Sequence, residues 1–366
     1  MEPLRLLLAG DVMTGRGIDQ VLPHPSAPGL FEPWVRDARD YVRIAEEASG
    51  PIPRAVPPEY VWGDVLPVLR RADLRVANLE TAVTASDDAW PGKGIHYRMA
   101  PANLACLAAA HLDVAVLANN HVLDWGVAGL RETLQVLGRL PVRCAGAGLQ
   151  RQQARAPVAV TLAGGGRLLV SAWATASSGV PAEWAAGATR PGIALLPDLS
   201  DAGFLEIAQA VASARQPGDL CLVSLHWGGN WGFGVPAEHR AFAHRLVDRG
   251  VADVVHGHSS HHPLGIEVYR GRAVLHGCGD LLNDYEGIGP HGSLRSDASC
   301  LYLLTLAADG ALQRLEIVPL RIRRFRLEQA DDATRRWLRE LFEREGRAVG
   351  TGVQALADGR LALRWG

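Results

Sequence analysis

Short apolar runs alternate along this chain with amphipathic stretches, a pattern that predicts alternating strands and helices. Leu4–Ala9, Leu74–Asn78, Val114–Ala118, Leu168–Ala172, Leu220–Leu225 and Ala252–His256 read as strands. Helical spacing marks Ala102–Ala110, Gly126–Gly138, Ala202–Ala214 and Ala237–Arg249. The alternation implies an α/β fold. Ile266–Tyr269 and Ala273–His276 read as a hairpin across Arg270-Gly271-Arg272, and Cys300–Leu306 with Leu312–Ile317 as a second antiparallel pair turning at Asp309-Gly310. A proline-rich insertion, Pro23–Pro58, holds a short amphipathic helix near Trp34–Ala48 and has the size of a lid or binding element. The tail from Asp331 to Gly346 reads as one surface helix. With no dividing linker, the expectation is one domain over residues 1–325, carrying the insertion at 23–58, and a helical extension over 326–366 packed on it.

Composition narrows the function. The 366 residues are 48% hydrophobic, ample for a buried core, and the formal net charge is -2. Such a balance generates no field to hold nucleic acid or an anionic membrane, so neither is expected as a partner. Leu4–Leu8 is apolar apart from Arg5, but Asp11 ends the run early, and no later stretch approaches the roughly 18 apolar residues of a membrane span. A cytoplasmic location is the expectation. The five cysteines are scattered singly without CxxC spacing, which points to neither a disulfide framework nor a thiolate zinc site. Lys93 is the only lysine, which reads chiefly as a codon bias toward arginine.

Five segments share one design, an apolar strand that delivers oxygen or nitrogen ligands at its end. They close on Gly10-Asp11, on Asn78-Leu79-Glu80, on Asn119-Asn120-His121, on His226-Trp227-Gly228, and on His256-Gly257-His258-Ser259-Ser260-His261-His262. Singly, each has a bland reading as a turn, a helix cap or a core histidine. Jointly, neighbouring parallel strands would crowd these groups at one rim, where α/β folds place ligand chemistry. Without a cation such a cluster is costly to desolvate. Carboxylate, imidazole and amide ligands without thiolate suit Mn, Fe, Zn or Mg, as one or two divalent ions. Glu80 has the chemistry to bridge two ions, and His121 to move a proton at the reacting bond.

These motifs carry a resemblance. Gly10-Asp11-Val12-Met13 with Gly15-Arg16, Asn78-Leu79-Glu80, Asn119-Asn120-His121 with Leu123-Asp124-Trp125-Gly126, and Gly257-His258-Ser259-Ser260-His261 together resemble the CapA family of bacterial poly-γ-glutamate capsule synthesis, related to calcineurin-like metallophosphoesterases. Gly265–Tyr269 and Gly279–Tyr285 extend the match to roughly residues 4–320. The resemblance implies a double β-sheet sandwich flanked by helices, with the metal site at the strand carboxyl ends. It assigns Asp11 to a first ion and Glu80 to the bridging position. Asn120, His226 and a histidine of the fifth segment such as His258 go to a second ion. His261 returns to the first, and His121 is the catalytic imidazole, with Asp11 also at the reacting centre. Calcineurin-type enzymes place a histidine two residues after the first aspartate; Met13 stands there in this chain.

Arg16 is the candidate to aim a guanidinium at an anionic substrate, with a structural ion pair as its other reading. Asn78 and Trp227 are further candidates for substrate contact, the latter opening a flexible aromatic run Trp227–Gly232. Lys93 and Arg98 read as a solvated loop near the site. Asp280, Asn283, Asp284 and Glu286 read as support behind the histidines or as a solvated turn. Three functions fit. The leading one is a hydrolase acting through metal-bound hydroxide on a phosphoester or amide-type bond of a small-molecule or peptide substrate. The second is a peptide epimerase with a metal-polarised carbonyl and two bases, and the third a non-catalytic member of a poly-γ-glutamate assembly machine.

Overall fold

The computed structural model describes residues 3–289 and 294–366. Its centre is the apolar strand Leu4–Val12, which the chain buries on both faces. On one side Leu74–Leu79, Val114–Val116 and Arg143–Ala145 follow in parallel; on the other, Ala298–Leu306 and Leu312–Arg323 run antiparallel. The short strand Asp280–Leu282 lies parallel to the end of Leu4–Val12, with Asp11 in register with Asp280. A second sheet is ordered Ile266–Tyr269, Arg272–Leu275, Val254–His258, Leu220–His226, Arg167–Ala174, Val158–Thr161.

Period-two alternation makes the sandwich. From the second sheet, Leu168, Val170, Leu220 and Leu222 join the core shared with the first sheet. Their neighbours Leu169, Trp173, Cys221 and Val223 pack instead with Ile207 and Val211 of helix Asp201–Ala214 and with Phe242 and Leu246 of helix Ala237–Asp248. Each strand thus faces a sheet on one side and helices on the other, the double β-sheet sandwich flanked by helices. Among the described residues, no helix is long and apolar enough to cross a membrane.

Two segments differ from expectation. In the insertion the helix is Ala38–Ser49, and it starts at Ala38 because the Asp37 carboxylate accepts from the Arg39 N–H. Ala38, Tyr41, Val42 and Ala45 are its buried stripe, and Trp34 is left 94% exposed outside it. The 326–366 segment is not only helical. Helix Asp332–Arg347 is flanked by strand Arg326–Gln329 and by strands Thr351–Ala355 and Leu361–Trp365, which extend the first sheet beyond Leu312–Arg323. Leu361 and Leu363 point inward in alternation, a signal only five residues long.

Candidate metal centre

The site forms where strand ends of both sheets meet. The ladder of Leu4–Val12 shifts register between Ala9 and Asp11. Gly10 sits at that shift, where a Cβ would lie 1.8 Å from the Gly279 carbonyl oxygen. Only glycine lets the two chains close this far, and the Asp11 N–H then donates to Gly279 O at 3.1 Å. The carboxylates of Asp11 and Asp280 are thereby held side by side. In the second sheet His226 and His258 end adjacent parallel strands in register with one another.

Asp11 is shared by two groups of ligand atoms, each within 4.8 Å: one with His226 and His258, the other with His261 and Asp280. The Nδ1 atoms of His226 and His258 are 2.8 Å apart. Their Nε2 atoms are occupied elsewhere, that of His226 by Asn120 Oδ1 at 3.2 Å and that of His258 by Ser224 Oγ at 2.8 Å. His261 Nδ1 is 2.9 Å from Asp280 Oδ1. Glu80 lies between two imidazoles, 3.9 Å from His226 Nδ1 and 3.8 Å from His121 Nε2. Asn78 donates to Asp11 Oδ1 and Glu80 Oε2, both at 2.8 Å, and accepts from Asn119 Nδ2 at 2.9 Å. Its amide is committed to aligning the two acids.

All of these groups are buried except the half-buried Asn120. Burial, reinforced by the neighbouring Asp280, pushes Asp11 up to about 7. Burial and then Asp11 hold Glu80 well above the carboxylate range. Burial lowers His226 and His258 well below the usual imidazole value, leaving neutral rings with lone pairs to give. Among the described residues, the charged partners within 4 Å of Asp11, Glu80 and Asp280 are histidines, not arginine or lysine. Asp11 and Glu80 are desolvated acids beside the neutral rings of His226 and His258, while Asp280 and Asp11 draw the His261 imidazole upward as a partial counter-charge. A divalent cation is a group that this mixed donor set fits.

Comparison with known proteins places the chain in a family. The family model described as bacterial capsule synthesis protein PGA_cap matches residues 5–285. The chain belongs to the PGA_cap family. This family member is 45% identical to a probable polyglutamine synthesis accessory protein of Mycobacterium tuberculosis, over 99% of this chain and 96% of the relative. It is 24% identical to the PGA biosynthesis protein CapA of Bacillus subtilis, over 88% of this chain and 72% of that one. Among solved structures, a novel phosphatase of Mycoplasma pneumoniae aligns with a TM-score of 0.48 at 11% identity, over 92% of this chain and 97% of that one.

In this PGA_cap chain His121 is backed by two residues that the sequence reading left out of the site. Its Nδ1 is 2.7 Å from Asp124 Oδ2, which turns Nε2 toward Glu80. Lys93 is not solvated. Its ammonium donates to the Asn120 carbonyl and the Asp124 carboxylate and lies 3.0 Å from His121 Nδ1. Burial pushes the Lys93 ammonium down, and the same cause brings the His121 imidazolium down to about 4. The three-residue step from His121 to Asp124, and a lone lysine in an arginine-rich chain, were the available signals.

The substrate candidates separate. Trp227 is a correction: it is buried, its Nε1 donates to the His276 carbonyl at 2.9 Å, and its ring stacks on His239 at 4.4 Å. Alternation explains this, because His226 faces the metal side and the next residue must face away. Trp231 lines the cleft instead, in a cavity of about 460 Å³ with His261, Tyr285, Arg16, Trp34 and Ile288. Arg16 reaches that cavity, but its guanidinium pairs with Asp284 and Glu32 and bonds Tyr41 Oη at 3.0 Å.

Proposed function

We propose that this chain is a metal-dependent hydrolase that cleaves a phosphoester or amide-type bond in a small-molecule or peptide substrate. The observation that carries this reading is Asp11, a buried carboxylate common to two ligand groups with, among the described residues, histidine and not arginine or lysine as its charged partner within 4 Å. Asp11, Glu80, Asn120, His226, His258 and His261 would hold divalent metal, one or two ions. When bound, such an ion supplies Lewis acidity and makes a water acidic enough to act as nucleophile near neutral pH.

The protein's own residues do the rest. Asn78 fixes the separation of Asp11 and Glu80, so that substrate binding need not reorganise them. His121 is neutral, and its Nε2 lone pair, aimed into the cluster by Asp124, accepts or returns a proton at the reacting bond. The cavity beside His261, walled by the insertion and Trp231, excludes water from one side and takes the group attached to the scissile bond. The association of the relatives with polyglutamine and PGA synthesis supports a peptide-type substrate.

The test is release of p-nitrophenol from p-nitrophenyl phosphate, and of amine from γ-glutamyl peptides, by protein loaded with Mn²⁺. Turnover that disappears in Asp11→Asn supports the reading. Deuterium entering an α-carbon from D₂O without cleavage would replace hydrolysis by proton exchange.

A further inference from the structure

The two ligand groups around Asp11 are chemically unlike. One joins a single carboxylate to two imidazoles, His226 and His258; the other joins two carboxylates, Asp11 and Asp280, to the single imidazole of His261. Asp280 is built as a fixed oxygen donor. It is buried, and Asn283 Nδ2 donates to its Oδ2 at 2.8 Å while also holding Ser296 O at 3.0 Å. Its Oδ1 stands 2.9 Å from His261 Nδ1. Ligands at right angles on one ion, at bonds of roughly 2.0–2.2 Å, lie about 3 Å apart, so both atoms are spaced for a shared cation. The strand register that sets Asp280 beside Asp11 fixes the second carboxylate at the same level.

We propose that Asp280 is a metal ligand and that the centre is asymmetric, with a nitrogen-rich position at Asp11–His226–His258 for zinc and an oxygen-rich position at Asp11–His261–Asp280 for manganese. This rests on the metal-centre reading above. Imidazole suits zinc, whereas carboxylate suits the harder manganese ion. Because zinc outcompetes manganese at most sites when in excess, the difference appears only when zinc is limiting. Asp280 therefore sets which ions the protein carries. Met13, which has no hard donor, leaves that role open to it.

The experiment is stepwise reconstitution of the metal-free full chain with one equivalent of Zn²⁺ and then excess Mn²⁺, followed by gel filtration and elemental analysis. Wild type is expected to retain one zinc and one manganese. Asp280→Asn, which keeps an acceptor for His261 but loses the charge, is expected to keep zinc and bind manganese more than roughly 100-fold more weakly, since loss of even an outer partner of a metal ligand costs about 10–100-fold. His226→Ala is expected to lose zinc first. Wild type supplies an independent readout, because electron spin-echo modulation of its bound Mn²⁺ is expected to report one directly coordinated imidazole nitrogen. Two such nitrogens, or an Asp280→Asn protein that retains both ions at wild-type affinity, would overturn the assignment. Both ions bound as expected without any turnover would defeat the hydrolase reading and leave this one standing.

Discussion

Among the described residues, two clusters of histidine and carboxylate resolve their charge in opposite ways. At the strand-end rim, Asp11, Glu80 and Asp280 face His226, His258 and His261. On the helix side of the second sheet, Glu267 of strand Ile266–Tyr269 meets Arg240 at 2.7 Å, His244 at 3.0 Å and His276 at 3.2 Å. Burial pushes Glu267 upward, but hydrogen bonds from His276, Arg240 and His244 override it and bring the carboxyl down to about 2. At Asp11 the hydrogen bonds and the His261 imidazole do not override burial, and the carboxyl rises to about 7. The same residue types make a closed ion-pair network where a guanidinium is supplied and an open ligand set where none is. Counter-charge, not composition, separates structure from chemistry.

The sharpest way to break that contrast is Asp11→Asn. It should abolish metal-dependent turnover while leaving the metal-free protein at least as stable, because it deletes an uncompensated buried acid; activity and thermal melting read the two effects. His121→Ala should retain the ions by elemental analysis yet lower kcat by about 10²–10⁴-fold, the usual contribution of a positioned acid–base group. In Glu267→Ala the rim should be untouched, with metal content and KM unchanged, while denaturant unfolding shows a loss of about 1–3 kcal/mol from broken charge-assisted hydrogen bonds. Lys93→Met should lower kcat about tenfold at constant metal content, a modest value because Asp124 still orients His121.

The smallest expected effect concerns pH. His239, stacked on Trp227 and flanked by His276, is held down to about 4 by burial. A depressed imidazole stabilises the fold fully above its unfolded value near 6.5, and the contribution fades as pH falls toward 4. Urea unfolding at pH 7 and pH 5 should show this loss in wild type, and His239→Phe should reduce it, the remainder coming from the other depressed imidazoles such as His121 and His256. An unchanged slope in His239→Phe would move the acid sensitivity elsewhere.

Much of the scaffold was legible because each strand ends its apolar run abruptly. Asp11, His226 and His258 stand at such ends, and the structure gathers them. Asp280 was not singled out as a ligand, since Gly277-Cys278-Gly279 precedes it and no apolar run announces its strand. Its partner is Leu4–Val12, at the other end of the chain, and pairing over such a distance leaves no local periodicity. Lys93 was misread for a related reason: its glycine-rich surroundings look solvated, and only the tertiary approach of Asn120 and Asp124 buries it. Trp227 shows the reverse error, an aromatic beside a ligand whose direction strict alternation already determined.

The innermost strand is synthesised before every strand that it pairs with. Leu4–Val12 finds one neighbour early, in Leu74–Leu79, but its other edge stays bare until Asp280–Leu282 and Ala298–Leu306 have been synthesised. Until then an apolar ribbon with unpaired amides is open to stray pairing, so nascent chains that stall short of Leu306 should be the aggregation-prone ones. The acid pair completes only with that closing stretch. A cation held by that pair, as proposed, could be captured only after residue 280 has been made.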